Sequence, residues 1–130
     1  MESQNSPPAP DSDQARELCF LEGVAGRIPA RSWILKPLGD LYTRCGKFKK
    51  GLQVDLRLTR LCPGEPEVWY NLGCSFALLD HKVDACSALE KAVELGYTDA
   101  GWMRNDDDLR SVRDLPEFQK LLRKLEGREG

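Results

Sequence analysis

The chain repeats its own pattern at an interval of 34 residues, and this period constrains the fold more than any other feature. Seven pairs of positions at this interval carry the same residue or residues of similar size or chemistry. The matching pairs are Pro29 and Pro63, Leu38 and Leu72, Gly39 and Gly73, Tyr42 and Phe76, Gly51 and Ala85, Leu58 and Ala92, and Leu61 and Leu95. Such a period indicates a stack of similar units that bury their apolar faces against one another.

Within each copy the apolar residues recur at spacings of three and four, which is the period of a helix with one buried face. Leu38 and Leu41 show this spacing in the first copy, and Leu72 and Phe76 show it in the second. No stretch alternates apolar and polar residues for long enough to predict a strand. We therefore predict an all-α fold.

The second copy closely resembles the tetratricopeptide repeat, whose unit is a helical hairpin of 34 residues. Its large and small signature residues are Trp69, Leu72, Gly73, Phe76, Ala85, Leu89 and Ala92. The first copy is a weaker match in the same register, through Leu35, Leu38, Gly39, Tyr42 and Gly51. The small residues let the two helices of a repeat approach closely, and a proline after the second helix ends it.

The resemblance implies an α-α superhelix of helical hairpins, with two full repeats at about residues 32–65 and 66–97. Pro29 has the same phase as Pro63, so residues 15–28 resemble the second helix of a degenerate preceding repeat. Two full repeats are fewer than a stable stack usually needs, so the half repeat and the C-terminal helices should supply further burial.

Both ends of the chain differ from the repeats. Residues 98–126 resemble the closing segment of small bacterial proteins of the family, and a capping helix is predicted to begin after Leu115, with Pro116 at its first position and Glu117 in its first turn. Its apolar stripe is predicted to dock on the open end of the second repeat, and consists of Phe118, Leu121, Leu122 and Leu125. Residues 1–13 are rich in proline, serine and acids and are predicted to be a disordered tail. We therefore predict a single helical domain over residues 14–130.

Three residues depart from the family pattern, and one of them, Tyr97, replaces the closing proline, consistent with a different exit from the last repeat. Pro37 lies inside the first helix of the first repeat, where we expect it to kink the helix or to delay its start to about Leu35. Asp55 occupies a position where the pattern has a bulky apolar group, and a half-buried carboxylate there is a candidate functional group. The alternative is an acid at the solvent edge that pairs with Arg57 or Arg60.

The family binds extended peptides or partner helices on a concave face, which is lined by the first helix of each repeat. By repeat phase, the resemblance implies a peptide-binding groove formed by Trp33, Lys36, Asp40, Arg44, Tyr70, Asn71 and Cys74. An aromatic side chain, hydrogen-bonding groups and charges of both signs suit a peptide. Lys36 and Asn71 match two positions of the family's carboxylate clamp, but Asp40 stands where the clamp has Asn and would repel a carboxylate. We therefore predict no working clamp.

The favoured function is a protein-interaction module or adaptor that binds an unidentified protein or peptide in this groove. One alternative is a structural protein that associates with a second copy to form a homodimer. Another is a nucleic-acid-binding accessory that uses the basic residues of segment 47–60. A solvated helix face explains that segment as well, and we expect nucleic acid not to be the partner.

Composition and motifs favour no enzymatic activity, no cofactor and no metal. The chain has 19 basic and 21 acidic residues and a formal net charge of -2, so it has no overall attraction for nucleic acid or an anionic membrane. It has five cysteines without a Cys-x-x-Cys pair, and His81 is its one histidine. Nucleotide-binding and hydrolase motifs are absent. A Cys–His nucleophile would need Cys74 or Cys86, which we interpret as core-filling cysteines.

Two further predictions concern the acidic run and the location of the chain. Asp106, Asp107 and Asp108 lack the alternate spacing of a calcium loop, so we expect them to cap the helix that follows. The sequence has neither an apolar stretch that could span a membrane nor a secretory signal, and we therefore predict a cytoplasmic protein with no membrane contact.

Overall fold

The computed structural model describes residues 11–27 and 31–129, with side chains described over 11–26 and 31–127. Over these ranges the chain is helical and has no strand, which confirms the predicted all-α class. The helices are α1 (Ser12–Arg27), α2 (Ser32–Arg44), α3 (Phe48–Leu61), α4 (Pro66–Leu78), α5 (Lys82–Glu94), α6 (Ala100–Asn105), a 3₁₀ helix (Asp107–Val112) and α7 (Pro116–Glu129). Each α-helix described is too short or too polar to span a bilayer.

The chain divides into two compact units, of which the first ends at Leu61 and the second begins at Cys62. This division lies close to the boundary at residue 65 that the repeat pattern predicts between its two full copies. The prediction of one domain over residues 14–130 stays a prediction.

Helix α1 begins earlier than the sequence pattern predicts. The Asp11 carboxylate accepts a hydrogen bond from the backbone N–H of Gln14 at 2.8 Å, and the Gln14 side chain accepts one from the N–H of Asp11 at 3.2 Å. This reciprocal pair is a capping box, which satisfies two backbone donors that a helix start leaves free. The last two residues of the predicted tail therefore belong to α1, and residues 1–10 lie outside the described residues.

In the first unit, α2 and α3 form an antiparallel pair in which two glycines allow close contact. A Cβ atom on Gly39 would lie 3.0 Å from a methyl carbon of Val54, and one on Gly51 would lie 3.1 Å from the Thr43 hydroxyl. The chain reverses between the helices at Gly46, whose φ of 77° favours glycine. Helix α1 packs against α2, and the Tyr42 hydroxyl donates a hydrogen bond to the Glu22 carboxylate of α1.

Pro37 does not delay the start of α2, so that part of the prediction is wrong. The helix begins at Ser32 and continues through the proline to Arg44. A proline inside a helix removes one backbone hydrogen bond, to the carbonyl of the residue four positions earlier. That residue is Trp33, which is 60% exposed, so water can reach this part of the helix. The proline of the preceding half repeat, Pro29, lies outside the described residues.

In the second unit, α4 and α5 form a second antiparallel pair with an even closer glycine contact. A Cβ atom on Gly73 would lie 2.8 Å from two side-chain carbons of Leu89 and 3.2 Å from the carbonyl oxygen of Ala85. Helix α5 ends before Gly96, whose φ of 116° is rarely adopted by other residues.

The segment after α5 completes the core of the second unit. Helix α6, the 3₁₀ helix and α7 bury Met103, Leu109, Val112 and Phe118 fully, in one cluster with residues of α4 and α5 such as Leu89. The apolar stripe of α7 is covered by this cluster: Phe118 and Leu125 are 0% exposed, Leu122 is 6% exposed and Leu121 is 7% exposed. The stripe is therefore part of the core of this unit.

Candidate functional site

The solvent face of α2 carries four of the predicted groove residues. Trp33, Lys36, Asp40 and Arg44 are all exposed and follow one another at spacings of three, four and four. Residues at these spacings lie on one side of a helix, so the four side chains share one surface. We call this surface, defined by these four residues, the α2 face. The structure thus brings together the four groove residues that the sequence assigns to the first repeat.

The α2 face combines a large aromatic group with charges of both signs. The Trp33 side chain is 60% exposed, which is unusual for the residue type with the largest apolar surface. The Arg44 guanidinium forms an ion pair with the Asp40 carboxylate at 3.0 Å, and both groups remain more than half exposed. An exposed ion pair between residues one helical turn apart adds little stability. Both charged groups therefore remain available to a partner.

For Tyr70 and Cys74 the structure corrects the predicted groove. Tyr70 is 4% exposed and Cys74 is 7% exposed, so neither side chain is accessible to a peptide. The Tyr70 hydroxyl donates a 2.7 Å hydrogen bond to the Asp106 carboxylate, and the Cys74 sulfur lies 3.7 Å from the same oxygen. The segment that joins α6 to the 3₁₀ helix covers this side of α4. Asn71 remains exposed, as the prediction requires.

Asp106 connects this segment to α4. One of its carboxylate oxygens accepts the bond from Tyr70, and the other accepts a 3.0 Å bond from the backbone N–H of Asp108. The second bond caps the 3₁₀ helix, as predicted for the acidic run. The backbone carbonyl of Asp106 accepts a 2.6 Å hydrogen bond from the Arg113 side chain. The Ser111 hydroxyl donates a 2.8 Å hydrogen bond to the Ala77 carbonyl of α4. These bonds hold the closing segment against α4.

Three potential metal-ligand atoms, from Cys74, Asp106 and Asp108, lie within 4.8 Å of one another. The capping and tyrosine hydrogen bonds of Asp106 account for the position of its carboxylate at this place. A capped helix start next to a buried tyrosine therefore explains the cluster without a ligand.

The three tyrosines of the chain are all held in their neutral form by the fold. Burial, with the hydrogen bond to Asp106 and nearby negative charge, raises the pKa of Tyr70 far above its ordinary value. Tyr70 stacks on Tyr97 with ring centres 4.4 Å apart, and burial raises the pKa of Tyr97 to about 12. Burial and the hydrogen bond to Glu22 raise the pKa of Tyr42 as well.

This arrangement predicts an alkaline limit to stability. Unfolded tyrosine loses its proton near pH 10, whereas the native state binds the proton more tightly. Tyrosine ionisation should therefore leave the free energy of unfolding unchanged below about pH 10 and should lower it as the pH rises toward 12.

Tyrosinate absorbance in the near ultraviolet checks this prediction. At about pH 11 free tyrosine is about nine-tenths ionised, and the native protein should show little tyrosinate until it unfolds. The chain in concentrated urea serves as the control and should titrate near pH 10. A native titration centred at pH 10 would show that the three hydroxyls are accessible.

The candidate nucleophilic cysteines and the histidine differ in exposure: Cys74 is buried, Cys86 is partly buried and His81 is exposed. Cys74 is buried against Asp106, and His81 is exposed at the start of α5. Burial, together with the charges of Glu117 and Glu90, raises the pKa of the Cys86 thiol. A raised pKa lowers the thiolate fraction and therefore the nucleophilicity of this cysteine.

The basic segment 47–60 presents its cations to solvent. Its exposed basic residues are Lys47, Lys49, Lys50, Arg57 and Arg60. Lys50 is partly engaged, because its ammonium lies 3.8 Å from the Glu22 carboxylate and 5.7 Å from the centre of the Tyr42 ring. Asp55 is only 6% exposed, so the expectation of an acid at the solvent edge is wrong.

Two residues of the second unit were not among the predicted site residues. Asp106 and Tyr97 determine the environment of Tyr70, and Asp106 lies 36 residues away from it in the chain. The acidic run indicated a helix cap, but no local pattern indicated that the cap would also bind the tyrosine hydroxyl.

No protein-family model matches the chain. The chain is similar to a chloroplastic protein of Arabidopsis thaliana, with 30% identity over 91 residues. The matched region is 68% of this chain but only 27% of that protein, so the chain corresponds to about a quarter of its relative.

Proposed function

We propose that the chain is a protein-interaction module of the tetratricopeptide type, which binds a peptide or a partner helix through the α2 face. The observation that carries the proposal is the exposure of Trp33, at 60%, on a helix face that also presents Lys36, Asp40 and Arg44. Tryptophan and arginine are the residues most often responsible for binding energy at protein interfaces.

The period and the helix contacts support the repeat type. The two antiparallel pairs, α2 with α3 and α4 with α5, each begin within a few residues of the predicted repeat starts at 32 and 66. Gly39 and Gly73, which are 34 residues apart, both lie where a Cβ atom would come within 3.0 Å of a side chain of the paired helix. This is the role that the small residue has in the family pattern.

The burial of Tyr70 and Cys74 narrows the proposed binding surface. We assign contact with the partner to the four exposed residues of α2, namely Trp33, Lys36, Asp40 and Arg44. Tyr70 and Cys74 instead stabilise the second unit through Asp106. In this proposal the protein is not an enzyme and needs no cofactor, and its cytoplasmic location stays a prediction.

Replacement of Trp33 by alanine is expected to abolish partner capture. A buried tryptophan at an interface contributes about 2–4 kcal/mol, which corresponds to a loss of affinity of at least about thirtyfold. Tagged wild-type and Trp33→Ala proteins are incubated with native lysate of the source cells, and the captured proteins are quantified by mass spectrometry.

Phe20→Ala is the matched control, because Phe20 is an aromatic residue with 66% exposure on a different helix, α1. The proposal requires a protein that is captured by the wild type and by Phe20→Ala but not by Trp33→Ala. Equal capture by all three proteins would contradict it. If light scattering shows that the wild-type chain is a dimer and that the Trp33→Ala variant is a monomer, the self-associating alternative is favoured.

A further inference from the structure

A second surface, independent of the α2 face, lies between α5 and α7 within the second unit. The open groove between these helices has a volume of about 1000 Å³. Its apolar lining comes from Val83 and Cys86 of α5 and from Leu115 and Leu121 near and within α7. Leu121 is 7% exposed and belongs to the core, whereas Val83 is 80% exposed. Val83 therefore presents an exposed apolar surface at the edge of the groove.

The groove is bordered mainly by cations. Four basic residues line it, one at the start of α5 and three on α7: Lys82, Lys120, Arg123 and Lys124. The ammonium of Lys82 lies 3.9 Å from the Asp80 carboxylate. The three cations of α7 form no ion pair with any residue in the described part of the chain, and all three are exposed. Their charges are therefore available to an anionic partner.

Of the two carboxylates that line the groove, Glu90 lies on α5, and Glu117 lies in the first turn of α7, about one turn before Lys120. Glu90 and Glu117 both act on the thiol of Cys86 and help to raise its pKa, so they lie near that residue. Lys120 and Lys124 follow Glu117 by three and seven residues, which places them roughly 5–10 Å farther along the helix. The end of the groove beside the last turns of α7 is thus positively charged.

We propose that the groove between α5 and α7 docks an acidic amphipathic helix of a partner protein. A groove between two packed helices accepts the side-chain ridge of a third helix, and its apolar lining fits leucine-like residues at positions i, i+4 and i+7. Carboxylates on the flank of the docked helix face Lys120, Arg123 and Lys124. Residues 115–124, which line the groove on the α7 side, span roughly 15 Å. This length matches two to three turns of the docked helix.

A synthetic peptide tests the proposal on the full-length protein. The probe is a helix of about 15 residues with fluorescein at one end, leucines along one face and glutamates on the flanks. A matched peptide carries lysine in place of every glutamate. Fluorescence anisotropy at low salt is expected to show micromolar binding of the acidic peptide, at least tenfold tighter than that of the basic one, and weaker binding as salt is added.

Charge reversal on α7 provides the decisive variant. Lys120→Glu with Lys124→Glu is expected to weaken binding of the acidic peptide at least tenfold, since both positions lie at the cationic border of the groove. Lys47→Glu with Lys49→Glu is the control, because it makes the same change in net charge at two exposed lysines of the first unit. The control variant should bind the peptide like the wild type. Circular dichroism melting confirms that both variants fold.

Photo-crosslinking locates the bound peptide. A benzophenone in place of one leucine is expected to react within residues 82–90 or 115–124. Absence of binding at high protein concentration, equal binding of both peptides, equal weakening by both variants, or crosslinks outside these ranges would each overturn the proposal. Light scattering that shows a dimer, which Lys120→Glu with Lys124→Glu dissociates, would overturn it in favour of a second copy of this chain as the occupant.

Discussion

A chain truncated after Asp114 is expected to lose its cooperative thermal unfolding transition. This truncation removes α7, whose Phe118 and Leu125 are 0% exposed and whose Leu121 and Leu122 are buried in the core of the second unit. Burial of one phenylalanine and three leucines contributes about 6–12 kcal/mol in gross terms, which is close to the total stability of a small domain. The apolar surfaces of α5 and α6 that α7 covers would face water. We therefore expect the truncated chain to unfold or to aggregate.

Circular dichroism melting and light scattering check this outcome. Truncation after Glu126 is the matched control, since it retains the four buried residues and the pair between Arg104 and Glu126. The control should melt like the full-length chain. If the chain truncated after Asp114 stays monomeric and melts cooperatively near the full-length temperature, the helix contributes far less to the fold than its burial indicates.

Substitution of Gly73 by leucine is expected to lower the free energy of unfolding by about 3 kcal/mol or more. The first side-chain atom alone would lie 2.8 Å from two carbons of Leu89, inside their van der Waals contact distance, and 3.2 Å from the Ala85 carbonyl oxygen. The backbone carbonyl cannot move without moving α5, so α4 and α5 must separate. Urea unfolding followed by circular dichroism measures the loss.

Gly127→Leu is the matched control for this substitution, because no atom lies within 4 Å of a Cβ built on Gly127. It makes the same chemical change in α7 and is expected to raise the free energy of unfolding by at most about 1 kcal/mol. A Gly73→Leu protein with the wild-type urea midpoint would contradict both the close contact and the repeat assignment that depends on it.

The helix pairs could be predicted from the sequence because the patterns that specify them involve residues close together in the chain. The apolar spacing of three and four predicts helices, and the repeated glycine at positions 39 and 73 indicates where two helices touch. The capping box of Asp11 and Gln14 was also readable, because an acid followed three residues later by glutamine is a recognised helix-start pattern. The predicted start was late because the composition of the tail outweighed this signal.

The four residues of the α2 face were predictable as a group for the same reason. Trp33, Lys36, Asp40 and Arg44 share a face through helical spacing alone. The accessibility of Tyr70 and Cys74 was not predictable in this way. Their burial depends on Asp106, which reaches α4 from a segment more than thirty residues later in the chain.

The sequence by itself determined that this protein consists of helices, where most of them lie and which small residues permit their closest contacts. Periodicity and steric size act over one or two turns, so each is present in the local residue order. Only the tertiary structure decided which helix faces are covered. The closing segment covers Tyr70 through Asp106 and places α7 beside α5, which leaves a groove with an apolar lining and a cationic border. These outcomes depend on packing between residues far apart in the chain, and the same amphipathic pattern permits a face to be buried or open.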